Sequence, residues 1–73
     1  MLRIKLLRMS RGMSQWELSR AGGMSPGRYS MIERGLIEPT SEERARLAAV
    51  LGTAPSSLFR QALRSLPVEA VGT

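Results

Sequence analysis

The run from Ser14 to Gly35, SQWELSRAGGMSPGRYSMIERG, constrains the fold most, because it carries two helix starts and two helix stops in close succession. The side chain of Ser14 can accept from the free N–H groups of a first helical turn, and Glu17, three residues on, completes a capping box. The spacing predicts a helix from Gln15 to Ala21 with an inward stripe of Leu18, Ser19 and Gly22. Two of those three residues are very small, so a neighbouring helix can approach closely. Gly22-Gly23 ends the helix, since glycine takes up the left-handed conformation beyond a helix end without steric cost, and Met24 plugs the turn. Ser25 then caps a second helix whose first position is Pro26, where a missing N–H is no loss and φ is already helical. Gly35 closes that helix and Pro39 bars its continuation.

At about 100° per residue, Tyr29, Ile32 and Glu33 fall on one side of the second helix, and Gly27, Arg28, Met31 and Arg34 on the other. The latter face is expected to be free for a partner. Elsewhere periodicity and punctuation predict helices near 2–11, 41–51 and 55–65, the fourth opened by a Thr40/Glu43 capping box and closed by Gly52. In the fifth, Leu58, Phe59, Ala62, Leu63 and Leu66 share a broad face opposite Arg60 and Arg64. The reading is an all-α domain over residues 1–66 and a tail, PVEAVGT, over 67–73. A chain of 73 residues holds a small core, and dimerisation is a common way to supplement one.

With these elements in register, the sequence resembles the phage-repressor, or Xre-type, helix-turn-helix family of DNA-binding domains. Ser14-Gln15, Leu18, Gly23, Ser25, Ile32-Glu33 and Gly35 carry the resemblance. So do Ile4, Leu7, Arg8, Gly12 and Met13 before them, and Pro39-Thr40, Leu47-Ala48, Leu51-Gly52 and Leu58-Phe59 after. The resemblance implies a compact five-helix, lambda-repressor-like fold, with the helix at 25–34 in the major groove and that at 15–21 across the backbone. It also implies a structural ion pair between Arg8 and Glu33, joining the first helix to the recognition helix.

Charge agrees independently. Eleven Lys and Arg against six Glu give +5; residues 1–34 carry all of this excess, while residues 35–73 are neutral. The positive half is the half with the motif, which points to nucleic acid. Without Cys, His or Asp, the usual catalytic and metal-binding sets cannot be assembled, so an enzyme is rejected and no cofactor, metal or small-molecule ligand is expected. Glu42 and Glu43, neighbours on a helix, point about 100° apart and suit a helix start better than a carboxylate pair. No apolar run is long enough to span a bilayer. The opening MLRIKLLRMSRG has the composition of a transit peptide or surface anchor, but it lacks a cleavage-type boundary and serves the family as a core helix. A cytoplasmic protein of microbial or viral origin is expected.

The expected DNA-contacting set is Gln15, Trp16, Ser25, Pro26, Gly27, Arg28, Ser30, Met31 and Arg34. Gln15 matches the family glutamine that reaches a phosphate and braces the next helix. Arg28 is the best candidate base reader, since arginine can bind guanine through two parallel hydrogen bonds. Arg34 suits a phosphate, or the negative end of its own helix. Ser25 and the N–H groups near Gly27 suit a phosphate at a helix N-terminus. Trp16 and Arg20, one turn apart, can form a cation–π pair, while Lys5 and Arg11 contribute only to the field. Pro26, Gly27 and Met31 stand where polar base-reading side chains are common in the family, and Leu36-Ile37-Glu38 where basic residues are common, so low specificity and few loop contacts are expected.

Tyr29 stands in place of an aliphatic core residue and needs a partner for its hydroxyl. Arg44, on the apolar face of the fourth helix, either snorkels or pairs with an acid such as Glu38. Leu2, Leu6 and Met9 lie opposite the core face of the first helix and, with Leu66, Val68 and Val71, are expected to meet a second subunit or another protein. The sequence thus predicts a small transcriptional regulator, binding duplex DNA as a homodimer. The alternatives are an adaptor that keeps the fold and binds protein, and a non-specific nucleic-acid packaging protein.

Overall fold

The computed structural model describes residues 1–61, which form five helices: α1 (Arg3–Ser10), α2 (Gln15–Ala21), α3 (Pro26–Glu33), α4 (Ser41–Leu51) and α5 (Pro55–Leu58). Four of the five keep the expected bounds to within a residue or two. Capping chemistry accounts for that. Ser14 Oγ accepts from Glu17 N at 3.0 Å while Glu17 Oε1 accepts from Ser14 N at 2.8 Å. Thr40 and Glu43 repeat the arrangement at α4, and Ser25 Oγ accepts from Arg28 N at the head of α3. At the other end of α2, Gly23 has φ of +74°, which turns Met24 N back onto the carbonyl of Ser19 at 3.0 Å and satisfies a carbonyl the helix leaves open.

The fifth helix stops at Leu58, well short of residue 65. Phe59 leaves helical geometry, and the chain over 59–61 runs back past the start of α1, where Leu2 and Gln61 form an isolated antiparallel bridge. The gain is a cap. Leu2 offers no side-chain acceptor to α1, so the carbonyl of Arg60 takes the N–H of Arg3 at 2.9 Å. The bridge also corrects the expectation for Leu2, which is half-buried against the core instead of lying on an outer stripe with Leu6 and Met9. Ala62, Leu63, Arg64, Leu66, Val68, Val71 and the expected tail over 67–73 lie outside the described residues.

Ile4, Leu18, Tyr29, Ile32, Leu47, Ala48, Leu51 and Leu58 are fully buried or nearly so, and Leu2, Leu7, Met13, Met24 and Phe59 close the edges of this core. α2 packs on both α3 and α4, and α5 rests on α4 and α1. Closeness at the α2–α4 crossing comes from Gly22, where an added Cβ would lie 2.8 Å from Leu47 Cδ2. Arg44 takes the second of its expected behaviours, pairing with Glu38 at 2.8 Å, and its guanidinium also lies 5.5 Å from the centre of the Phe59 ring.

Two glycine substitutions are predicted to act in opposite directions. Gly22 has ordinary right-handed helical angles, so its backbone accepts alanine, but Leu47 is fully buried and has little room to yield. Gly22→Ala is expected to destabilise by about 1–3 kcal/mol. Gly27, in the first turn of α3, has nothing within 4 Å of an added Cβ, and Gly27→Ala should stabilise by up to about 1 kcal/mol. Thermal unfolding should show a lowered midpoint for the first variant and a raised one for the second; the reverse order would contradict the packing described.

Candidate nucleic-acid interface

The placement of α3 rests on one carboxylate. Glu33 is 4% exposed and accepts four hydrogen bonds: from Arg8 Nε at 2.7 Å and Nη2 at 3.3 Å, from the Tyr29 hydroxyl, and from Gln15 Nε2 at 2.7 Å. The donors come from α1, α3 itself and α2. Burial alone would push the Glu33 carboxyl up, but the bonds from Arg8, Tyr29 and Gln15 outweigh it and hold the pKa below the ordinary value. Loss of water around Tyr29, followed by its bond to that carboxylate, drives the phenol the other way, so it stays protonated and donates. Arg8 spends a further N–H on the carbonyl of Met13 at 2.8 Å, which pins the turn leading into α2.

Gln15 is half-buried, with its amide directed at Glu33 inside the protein. Trp16, beside it, is 53% exposed and lies under the Arg20 guanidinium, 4.7 Å from ring centre to Cζ. Ser25, Pro26, Gly27, Met31 and Arg34 are exposed along the outer side of α3, and Ser30 is half-buried. Arg34 Nε reaches only the carbonyl of Ser30, at 3.4 Å, and makes no ion pair among the described residues.

Arg28 departs from the expectation of a free face. Its Nε donates to Glu43 Oε2 at 2.7 Å and its Nη2 to Glu43 Oε1 at 2.8 Å, a two-point pair between α3 and the head of α4. Sequence reasoning assigned Glu43 only to the α4 cap. Its separation from Arg28 in sequence, across a loop whose path periodicity does not specify, hid the second role. The same carboxylate does both, and hydrogen bonding from Arg28, supplemented by the Thr40 N–H, draws its pKa down to about 2. The bond to Glu43 in turn raises the Arg28 pKa.

Four ion pairs, Arg8–Glu33, Arg28–Glu43, Arg44–Glu38 and Arg46–Glu42, engage four of the carboxylates. Among the described residues this leaves Arg3, Lys5, Arg11, Arg20, Arg34 and Arg60 without a carboxylate partner. All but Arg60 belong to the half of the chain that holds α1, α2 and α3. Arg34, Lys5 and Gln15 line one open cavity with Met1, Leu2, Glu33 and Gln61. Two of the unpaired cations, Lys5 and Arg34, thus lie together beside the C-terminal end of α3.

Acid is predicted to act on this framework first. Glu33 and Glu43 both hold folded-state pKa values below 4.5, so their contribution to stability is complete above that pH and is lost as pH falls. For Glu43 the loss runs from about pH 4.5 to about 2. The thermal midpoint should fall on acidification through that range, and less steeply in Glu43→Gln. Arg8→Met should cost about 3–5 kcal/mol at neutral pH, because it leaves a buried carboxylate without its cation. A midpoint insensitive to either change would remove Glu33 and Glu43 from the role described.

Comparison with known proteins bears on what such a surface is for. No curated protein sequence matches this chain. Among solved structures, the clp gene regulator ClgR from Corynebacterium glutamicum superposes with a TM-score of 0.75 at 30% identity, covering 96% of this chain and 74% of that one. The hypothetical transcription factor NHTF from Neisseria gives 0.74 at 29%, covering 90% and 74%. The SinR protein/SinI protein complex supplies a third match, with a TM-score of 0.74 at 30% identity, covering 96% of this chain and 69% of that one. The sequence model of the helix-turn-helix family matches residues 4–58, the span of α1 to α5, and the chain therefore belongs to the helix-turn-helix family of DNA-binding regulators, in its Xre or lambda-repressor-like branch.

Proposed function

We propose that this protein is a sequence-specific transcriptional regulator that inserts α3 into the major groove and acts by occluding a promoter. The outer face of α3 carries the reading. Pro26, Gly27, Met31 and Arg34 are exposed there with nothing above Gly27, so a duplex can approach the first turn to backbone distance. Arg34 is well suited to a phosphate, because no carboxylate competes for it among the described residues. Ser25 and the Gly27 N–H, the one N–H of the first turn without a bond among the described residues, suit a second phosphate, and Trp16 with Arg20 a third near the head of α2. Gln15 serves the interface from beneath: by bonding Glu33 it fixes the angle between α2 and α3.

A two-fold dimer on half-sites about one helical turn apart fits a domain of this size. Leu6 and Met9, one turn apart on α1, are 44% and 55% exposed, and burying them against a second copy is the simplest use of that face. One match, SinR, was determined in complex with another protein, SinI. A protein partner at the same apolar face is the second reading.

Selection from a pool of random duplexes at near-physiological salt tests the function. A two-fold symmetric enriched site is expected; a flat pool with little retained DNA would leave only the protein-binding reading. Arg34→Ala should weaken binding to all sequences alike and lower the slope of log affinity against log salt by about one. A sequence-dependent loss would instead make Arg34 a base reader. In sedimentation, Leu6→Glu should shift the dimer to monomer; an unchanged assembly state would clear α1 of the interface.

A further inference from the structure

We infer that Glu43 is a specificity-determining residue, which acts by holding the Arg28 guanidinium in one fixed orientation at the head of α3. This rests on the DNA-binding function proposed above. A guanidinium carries five N–H groups in a planar fork. Glu43 takes the side edge, formed by Nε–H and one N–H of Nη2, at 2.7 and 2.8 Å. Left over are both N–H groups of Nη1 and the second of Nη2. Two of these, one from each nitrogen, make a parallel end-on fork of the spacing that guanine offers at N7 and O6. The pairing with Glu43 thus leaves the two-point edge open while removing the freedom of the side chain to aim it.

Three observations support positioning over capture. The Arg28 side chain remains 37% exposed although both Glu43 oxygens are engaged, whereas the Glu43 side chain is only 12% exposed. The carboxylate is itself anchored, since Oε1 also accepts from Thr40 N at 2.8 Å in the α4 capping box, so it cannot follow Arg28 without uncapping its helix. Beside it Gly27 adds no side chain of its own, and a Cβ built there would meet nothing within 4 Å among the described residues. Arg28 occupies the third position of α3, in the first turn that a recognition helix presents to base edges. The pair is neutral overall, so Arg28 adds direction more than it adds attraction for phosphate.

Duplex selection with the wild type, Arg28→Ala and Glu43→Gln, alongside affinity for one fixed non-site duplex, tests this. Glutamine keeps the acceptor that the α4 cap requires, and equal helix content and cooperative thermal unfolding confirm that the variant folds. The wild type should prefer guanine at one position of each half-site, and both variants should lose that preference by about tenfold. Glu43→Gln should at the same time bind the non-site duplex more tightly, through loss of one negative charge. If Glu43→Gln keeps the guanine preference that Arg28→Ala loses, Arg28 reads without help and the inference is overturned. A guanine preference that appears only in Glu43→Gln would show Glu43 withholding Arg28, and overturns it as well. A wild-type site indifferent to Arg28→Ala removes Arg28 as a reader. A flat wild-type pool instead sinks the sequence-specific function itself, and the inference with it.

Discussion

Everything that positions α3 converges on the buried carboxylate of Glu33. Removing a charge from water is costly unless its lone pairs are filled, and here donors from three helices fill them: Arg8 from α1, Gln15 from α2 and Tyr29 from the preceding turn of α3. Apolar packing brings these helices together, but it tolerates small slides and rotations. A carboxylate with directional partners on three sides tolerates few. The hydrophobic core of α1 to α5 makes the domain compact, and the Glu33 network sets where α3 points.

The network also explains why a small core suffices. Tyr29 fills the volume that an aliphatic residue would otherwise occupy and lends its hydroxyl to the buried carboxylate of Glu33. Apolar burial and polar satisfaction are thereby met by one side chain. Close packing of α2 on α4 through Gly22 and Leu47 completes the same economy, since a larger residue at 22 would displace α2, the helix that holds the Gln15 donor, from α4.

The fold was legible where local chemistry decides it. Ser14, Ser25 and Thr40 as caps, Glu17 and Glu43 as box partners, and Gly23 past the end of α2 locate their helix ends by interactions spanning only a few residues. Legibility ended where a distant segment supplied the deciding partner. The end of α5 is set by Arg60 capping α1 from far along the chain, and the half-burial of Leu2 by the same bridge. Helical periodicity could identify Arg28 as an outward residue, yet it could not reveal that the turn after Pro39 brings Glu43 within reach. The charge asymmetry, in contrast, was fully present in the composition, because it requires no knowledge of pairing.

The bare first turn of α3 has an evolutionary consequence. Glu33 cannot drift alone, since any replacement strands Arg8, Gln15 and Tyr29 together. A Cβ at Gly27 would meet nothing within 4 Å among the described residues. A side chain acquired there answers to no neighbour among the described residues, so under the proposed function descendants of this chain change their target by single substitutions at 27 while inheriting the scaffold intact.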